Sequence, residues 1–521
     1  MSIKFRYLLA VIFTIGSLIS IWFFICNLQR LQPALYSLIV FALIGLYLAV
    51  KIFNNNLLTI TKSYILNLSR HKYFTIAALS VVTAVGLLAR LFFYYRFTYT
   101  PTSDPMTFFD SAKTLAAGGS LIGDSYIALF PFLAAYDNIL GIAMKLIPSP
   151  WLATILLNTC FDILSALALY IFLKKILKPH SHLPVVAFTA WLLSPLNIIY
   201  SVVSLPVIVV NFFIILTILI SYLLIQQVIK LKTKYALLLS IMLGLAIGYG
   251  NCFRPVFLVS IIALTVVFII MFLTTNKSPK FLKLAFGCIV LSLLIFTGIQ
   301  KLNIALVSNE IGLNAAKNPS GVSLYVGSNW ESTGEWRPYI NNEMNAICQK
   351  SVAQNNYDKC HAELRSAASK RYKSYGTFKL TSLLIRKLYH QAEQQNYFYN
   401  AENSIDGYKT SRTFKIINIY SVLYLLVLFT LSANFLYCLA KYSVLNQAAN
   451  PVLIFIALIF IGWFFAFAFV ESAPRYSTIL YPAFIIFAVL MLDVKFASKH
   501  ILNSVHAPKH KHKTSSKINP N

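Results

Sequence analysis

Apolar runs of about twenty residues recur along the chain, separated by short basic linkers and by two long polar segments. A helix of that length crosses ~30 Å of hydrocarbon and satisfies its own backbone hydrogen bonds; strands would need a closed barrel. The runs predict spans near 7–26, 34–53, 73–95, 151–173, 183–200, 204–225, 235–250, 256–274, 281–300, 415–438, 451–470 and 476–492. One more apolar stretch, 127–147, carries Pro131, Asp137, Asn138 and Lys145, and is read as a helix lying at the membrane surface. Residues 7–26 are long enough to span, and no small-residue cleavage site follows them, so they are read as an anchor rather than a signal peptide.

Composition agrees with the pattern. The 521 residues are 58% hydrophobic and 12% charged, which excludes an ordinary soluble domain and fits an all-α polytopic membrane protein of about 12 transmembrane helices. A net charge of +28 would suggest nucleic acid in a soluble protein. Here the basic residues sit in short linkers, where they set orientation and meet anionic headgroups, so membrane lipids are the expected partner and nucleic acid is not. With 127–147 on the outer surface, Lys174, Lys175, Lys230, Lys232, Lys234 and Lys441 all fall on the cytoplasmic side; counting it as a span inverts every later linker. Both termini are then cytoplasmic, in a multi-pass plasma-membrane protein of bacterial composition. Residues 1–72 supply two N-terminal helices and 73–300 a transmembrane core with an exofacial loop at 96–150. Residues 301–413 form a small exofacial domain, 414–492 the C-terminal helices, and 493–521 a basic tail. The tail is expected to be disordered from 505 onward.

Acidic residues are scarce enough to be read one by one. The chain has 16, and the first 103 residues hold none against nine Lys and Arg. On this topology 14 of the 16 are exofacial or at the exofacial boundary, the exceptions being Asp162 and Asp493. Asp162 is mid-span, where an ionised group costs ~2.5–3.5 kcal/mol, and is expected to hydrogen-bond to a neighbouring helix. Asp104 precedes Pro105, a helix cap followed by proline; Phe108, Ala112, Leu115 and Ala116 then line one face until Gly118 and Gly119 end the helix. Such a carboxylate at the mouth of a bundle can also serve as a general base. Asp110 stands three residues before Lys113 as its solvated partner. Glu471 and Arg475 are one helical turn apart at the start of the last span, with Tyr476 next to them. Arg254 sits at the exofacial end of the span 235–250.

In the polar segment, Trp330 and Trp336 can stack on a sugar ring or pack inside a small domain. The stretch 377–391 is basic and amphipathic, and is expected to dock on the outer leaflet with Lys379, Arg386, Lys387 and His390 facing headgroups or a phosphate. Cys348 and Cys360 either pair or remain free thiols.

Several of these segments resemble known ones. A span followed by Ser103 and Asp104, a helix reading A-x-x-L-A-x-G at 112–118, and Phe130-Pro131 resemble the GT-C superfamily of integral membrane glycosyltransferases. The likeness is to its protein O-mannosyltransferase and aminoarabinose-transferase-like branch. Arg254-Pro255 after a middle span, the E-x-x-x-R-Y of Glu471 to Tyr476, and the Gly327 to Trp336 loop are similar to features of the same branch. The resemblance implies sugar transfer from a polyprenyl-phosphate carrier to an acceptor glycan, lipid or protein on the outer face. It implies Asp104 as base, Arg254 and Arg475 as holders of the carrier phosphate, and Glu471, Asp110 and Tyr476 in support. Asp104 is followed by proline where many relatives carry the second acidic residue of a metal-coordinating pair, and the chain departs from the resemblance there. No cofactor is expected, with a divalent metal left open. The competing classes are a flippase or transporter, and a polymerase or ligase, of lipid-linked surface polysaccharide.

Overall fold

The computed structural model describes residues 3–28, 72–177, 181–274, 278–392, 398–444 and 450–505. Within them the protein is all-α; the only pairing of extended chain is an isolated bridge between Tyr99 and Ile405. The helices are α1 (Ile3–Leu28), α2 (Lys72–Arg96), α3 (Asp104–Ala116), α4 (Ser125–Leu129), α5 (Ala134–Leu146), α6 (Pro150–Ile176), α7 (Leu183–Leu192), α8 (Pro195–Ser201), α9 (Val207–Ile229), α10 (Thr233–Phe253), α11 (Leu258–Thr274) and α12 (Pro279–Ile311). A polar segment follows with α13 (Ser320–Gly327), α14 (Pro338–Ala353), α15 (Tyr357–Ser374), α16 (Thr377–Ala392) and α17 (Tyr399–Ser404). The chain closes with α18 (Arg412–Val444), α19 (Pro451–Phe469), a 3-10 turn (Pro474–Leu480) and α20 (Tyr481–Val505).

Among the described residues nine helical stretches are long and apolar enough to cross a membrane, and the bent pair α7–α8 makes a tenth. The protein is a multi-pass membrane protein. α11 is apolar but only 17 residues long. The span expected at 34–53 and the tail from 506 lie outside the described residues.

Two expectations need correcting. The span expected at 183–200 is broken by 45° between α7 and α8. Pro195 has no N–H to donate, and the carbonyls freed by the break are satisfied by side chains. Leu192 O accepts from Arg90 Nη2 at 3.2 Å, Leu193 O from the Tyr420 hydroxyl at 2.8 Å, and Ala190 O from the Tyr424 hydroxyl at 3.0 Å. The stretch 127–147 is likewise not one helix. Asp124 caps α4, its Oδ1 accepting from Tyr126 N and Ile127 N, the chain breaks at Phe130-Pro131, and α5 starts afresh.

The mid-span Asp162 is hydrogen-bonded to its neighbours, as its position requires. It forms an ion pair with Arg90 of α2, and its other oxygen accepts from Trp191 Nε1 at 2.7 Å; neither side chain of the pair is exposed. Each charge alone would be intolerable in hydrocarbon, and together they tie α2, α6 and α7. α10 packs closely on α12: a Cβ added at Gly244 would fall 2.7 Å from Ile295 Cβ. This is the small-residue contact that brings membrane helices together.

The polar segment is not a detached domain. α12 continues to Ile311, past the end expected near residue 300, and stops at Gly312, whose φ of 66° is left-handed. Its last turns share a second apolar core with Leu121, Ile127, Ala316 and Tyr357. Cys348 and Cys360 form a disulfide that joins α14 to α15. His361, next to it, accepts from Gly321 N at its Nδ1, so its Nε2 carries the proton and donates to Leu129 O at 2.9 Å. These contacts fasten the polar segment to the loop after α3.

Candidate functional site

Asp104, Arg254 and Arg475 stand more than two hundred residues apart in places, yet three chain turns bring them to one end of the bundle. Asp104 opens α3. Its carboxylate does not cap the helix, as the sequence suggested: the capping position is Ser103, which makes no side-chain bond to the helix. Ser103 has φ 58° and ψ −137°, a left-handed conformation costly for a residue with a Cβ. The turn is held from outside, since Ser204 Oγ donates to Pro105 O at 2.6 Å and Ser204 N donates to the Tyr99 hydroxyl at 2.9 Å. The Tyr99 ring stacks on Trp151 at 5.3 Å. The Asp104 side chain is left free to point at Arg475, and the Arg475 Nη2 to Asp104 Oδ2 distance is 2.5 Å. This pair is one-third to one-fifth exposed, so solvent reaches it.

Arg254 ends α10, where Pro255 stops the helix. The turn is pinned by Trp463 Nε1, which donates to Val256 O at 3.0 Å, and by Phe257 N, which donates to Asn251 Oδ1 at 3.4 Å. The guanidinium lies 3.7 Å over the centre of the Tyr476 ring, a close cation–π contact. Arg475 reaches the same ring from 5.3 Å. Tyr476 therefore has both cations around it and its hydroxyl toward Glu471.

The sequence paired Glu471 with Arg475 across one helical turn. Residues 471–473 are instead extended, because the residue before Pro474 is barred from helix, and the 3-10 turn starts only at Pro474. Arg475 hydrogen-bonds to Asp104 and not to Glu471. Glu471 remains within its electrostatic reach: burial pushes the Glu471 carboxyl up, Arg475 pulls it down, and Asp104 pushes it up again.

Tyr126 of α4, which sequence reasoning passed over, stands at the mouth of this cluster, 40% exposed. Burial of its hydroxyl and the charge of Asp104 raise its pKa. Nothing in the sequence marks Tyr126, Tyr99 or Ser204, because their roles arise from contacts across long stretches of chain.

The other expected residues lie elsewhere. Asp110 is exposed and makes no ion pair with Lys113 among the described residues. Trp336 is 40% exposed. Trp330 carries Lys379 at 5.2 Å and Arg386 at 5.0 Å over its ring, so cations already cover it. The basic stretch 377–391 is not laid out for the lipid surface as expected. Arg386 donates to Thr333 Oγ1 at 2.7 Å, His390 pairs with Glu335, Lys379 stacks on Trp330, and Lys387 is fully buried. α16 turns its cations to the polar segment because its acceptors lie there. Two surface clefts of about 530 and 410 Å³ occur in this segment, and neither is lined by Asp104, Arg254 or Arg475. Among the described residues no group of three His, Cys, Asp or Glu is placed to hold a metal ion.

One acidic group that the sequence placed on the surface helix, with no special role, is buried instead. Asp137 of α5 is fully buried and neither carboxylate oxygen has a hydrogen-bond partner. Burial, with Asp124 and Glu310 nearby, pushes its pKa well above the usual carboxylate range. Its folded value exceeds its unfolded value, so its proton favours the fold below the unfolded value, and that contribution is lost as pH rises through the folded one. Asp137→Asn, which mimics the protonated acid, should leave the melting midpoint unchanged only at a pH below the unfolded value of 3.8. It should raise it relative to wild type at alkaline pH, measured by thermal unfolding in detergent at both.

The site thus holds two guanidinium groups, one exposed carboxylate and two phenols, an arrangement suited to an anionic ligand whose partner must lose a proton. No protein-family model matches the chain, and comparison with curated proteins gives no match.

Proposed function

We propose that this protein is a membrane glycosyltransferase of GT-C type. It moves a sugar from a polyprenyl-phosphate carrier to a hydroxyl acceptor on the extracytoplasmic face. The observation that carries the reading is the convergence of Asp104, Arg254 and Arg475, with Arg475 bound to Asp104 and Arg254 flat on Tyr476. Two further features support the orientation. Lys174, Lys175, Lys230, Lys232 and Lys234 lie at helix ends opposite the site, as cytoplasmic lysines would. The Cys348–Cys360 disulfide lies in the segment fastened to the site's own end, as an oxidising compartment would favour.

In this reading the carrier phosphate binds between Arg254 and Arg475, each able to give two parallel hydrogen bonds to phosphate oxygens. Tyr476 keeps the Arg254 plane fixed, and Glu471 keeps Arg475 oriented. The phosphate takes over Arg475, and Asp104 is released from its ion pair. Asp104 then accepts the acceptor hydroxyl proton while the acceptor oxygen bonds to the anomeric carbon. The bond from that carbon to the phosphate oxygen breaks on the opposite face, and the electron pair leaves with the phosphate, held by the two arginines. The sugar is inverted. Before the donor arrives the base is engaged, which keeps it from activating water.

A flippase for a lipid-linked sugar is the second reading. The buried Arg90–Asp162 pair beside the broken span α7–α8 favours it, since transporters place charges and interrupted helices at mid-membrane. The test is mass spectrometry of envelope glycans, lipids and proteins from cells with and without the gene. A transferase leaves one sugar missing from its acceptor and the charged carrier accumulating outside. A flippase leaves the charged carrier inside, and an unchanged envelope ends both readings.

A further inference from the structure

The loop that carries Glu471 and leads to Arg475 is shaped by the polar segment rather than by the span it opens. α16 buries Leu383, Lys387 and Gln391 on one face, two of them polar. Lys387 is 0% exposed, and its Nζ donates to Gly327 O at 2.9 Å. Its own carbonyl accepts from Ser472 Oγ at 3.3 Å, and Gln391 Nε2 donates to Phe467 O at 2.8 Å. From the other side Ser472 N donates to Gly334 O at 2.8 Å.

Gly327 is required by space, and Gly334 by its φ of 75°. A Cβ at Gly327 would lie 2.4 Å from the carbonyl carbon of Val470, and one at Gly334 would lie 2.8 Å from Lys387 Cε. Residues 467–472 are therefore gripped along their length by α16 and by the loop from Gly327 to Gly334.

A methionine would fill the same space without desolvating an ammonium, so packing alone does not account for a lysine here. The ammonium faces the Gly327 carbonyl and the field of Glu471. Burial lowers its pKa to about 7, with Glu471 pulling it back up.

We propose that Lys387 is a positioning residue. It holds the 467–472 loop against Gly327 and, through that loop, sets where the Arg475 guanidinium stands. This rests on the reading above only in that Arg475 is taken to bind the carrier phosphate.

The test uses the full-length protein in detergent with Lys387→Met, and Lys387→Gln beside it to keep a donor without the charge. Three quantities are read: the melting midpoint, hydrogen exchange of peptides covering 467–480, and binding of undecaprenyl phosphate. Both variants should keep the wild-type midpoint, and Lys387→Met should speed exchange locally in 467–480. Both should weaken undecaprenyl phosphate binding about tenfold, and combined with Glu471→Gln the losses should not add, as expected for residues acting through one another.

Unchanged exchange at 467–480 overturns the proposal, as does additive loss with Glu471→Gln. A midpoint fall with uniformly faster exchange in both variants also overturns it, by making Lys387 a packing residue. If the wild-type protein does not bind undecaprenyl phosphate, the phosphate reading falls, and the exchange result still decides the role of Lys387.

Discussion

On the proposed function, Asp104→Asn should lower sugar transfer by about a thousandfold, within the range a positioned general base contributes, while the protein still folds and binds the carrier. The amide cannot accept the acceptor proton, and it no longer neutralises Arg475. Removing the 2.5 Å ion pair frees that guanidinium, so undecaprenyl phosphate should bind more tightly than to wild type. Loss of turnover with a gain in affinity is a combination that mere damage to the site does not produce. The measurement pairs single-turnover transfer from a polyprenyl-phosphate sugar with carrier binding by native mass spectrometry. Normal turnover removes Asp104 from the chemistry, and no transfer by the wild-type protein is what the flippase reading expects. Weaker carrier binding removes the exchange of partners at Arg475.

On the same reading, Arg254→Ala and Arg475→Ala should each weaken undecaprenyl phosphate binding by about 10- to 100-fold, the loss expected for hydrogen bonds to a charged group. The two differ in their side effects. Arg475→Ala leaves Asp104 without its partner, while Arg254→Ala leaves the Asp104–Arg475 pair in place and empties one face of Tyr476. Arg254→Lys tests shape against charge. A lysine keeps the positive charge but gives neither the paired hydrogen bonds nor the flat stack at 3.7 Å, so it should behave nearer to alanine than to arginine. Carrier affinity measured across the three variants decides this; full affinity in Arg254→Lys would leave only a general electrostatic role.

The helices were legible because hydrocarbon leaves the backbone few choices, so length and apolarity are enough to find a span. The break at Pro195 was written in the chain, yet hydropathy averages across it. At the site, scarcity did the work: with few carboxylates available, Asp104 and Glu471 stood out beside Arg254 and Arg475. Their pairing did not follow from spacing. Glu471 and Arg475 sit four apart, but Pro474 prevents the helical turn that would join them, and Arg475 turns to a residue from the far end of the chain. Asp162 was visible as a charge within a span; that Arg90 of another span meets it is a fact of packing. Lys387 and Asp137 were hidden for the opposite reason. A charge in the polar stretch 377–391, or on a helix read as lying at the membrane surface, reads as solvated, and only three-dimensional packing reveals that both are buried.

α12 has a wider consequence. Gln300 meets Asn251 near the end of α10, so residues 301–311 rise past that level by about 16 Å at ~1.5 Å per residue. On the orientation proposed above, this post carries the disulfide-joined helices on the outer side of the protein. An antibody, or an inhibitor too polar to enter a cell, could then grasp the protein from the medium, beside the loops that hold its arginines.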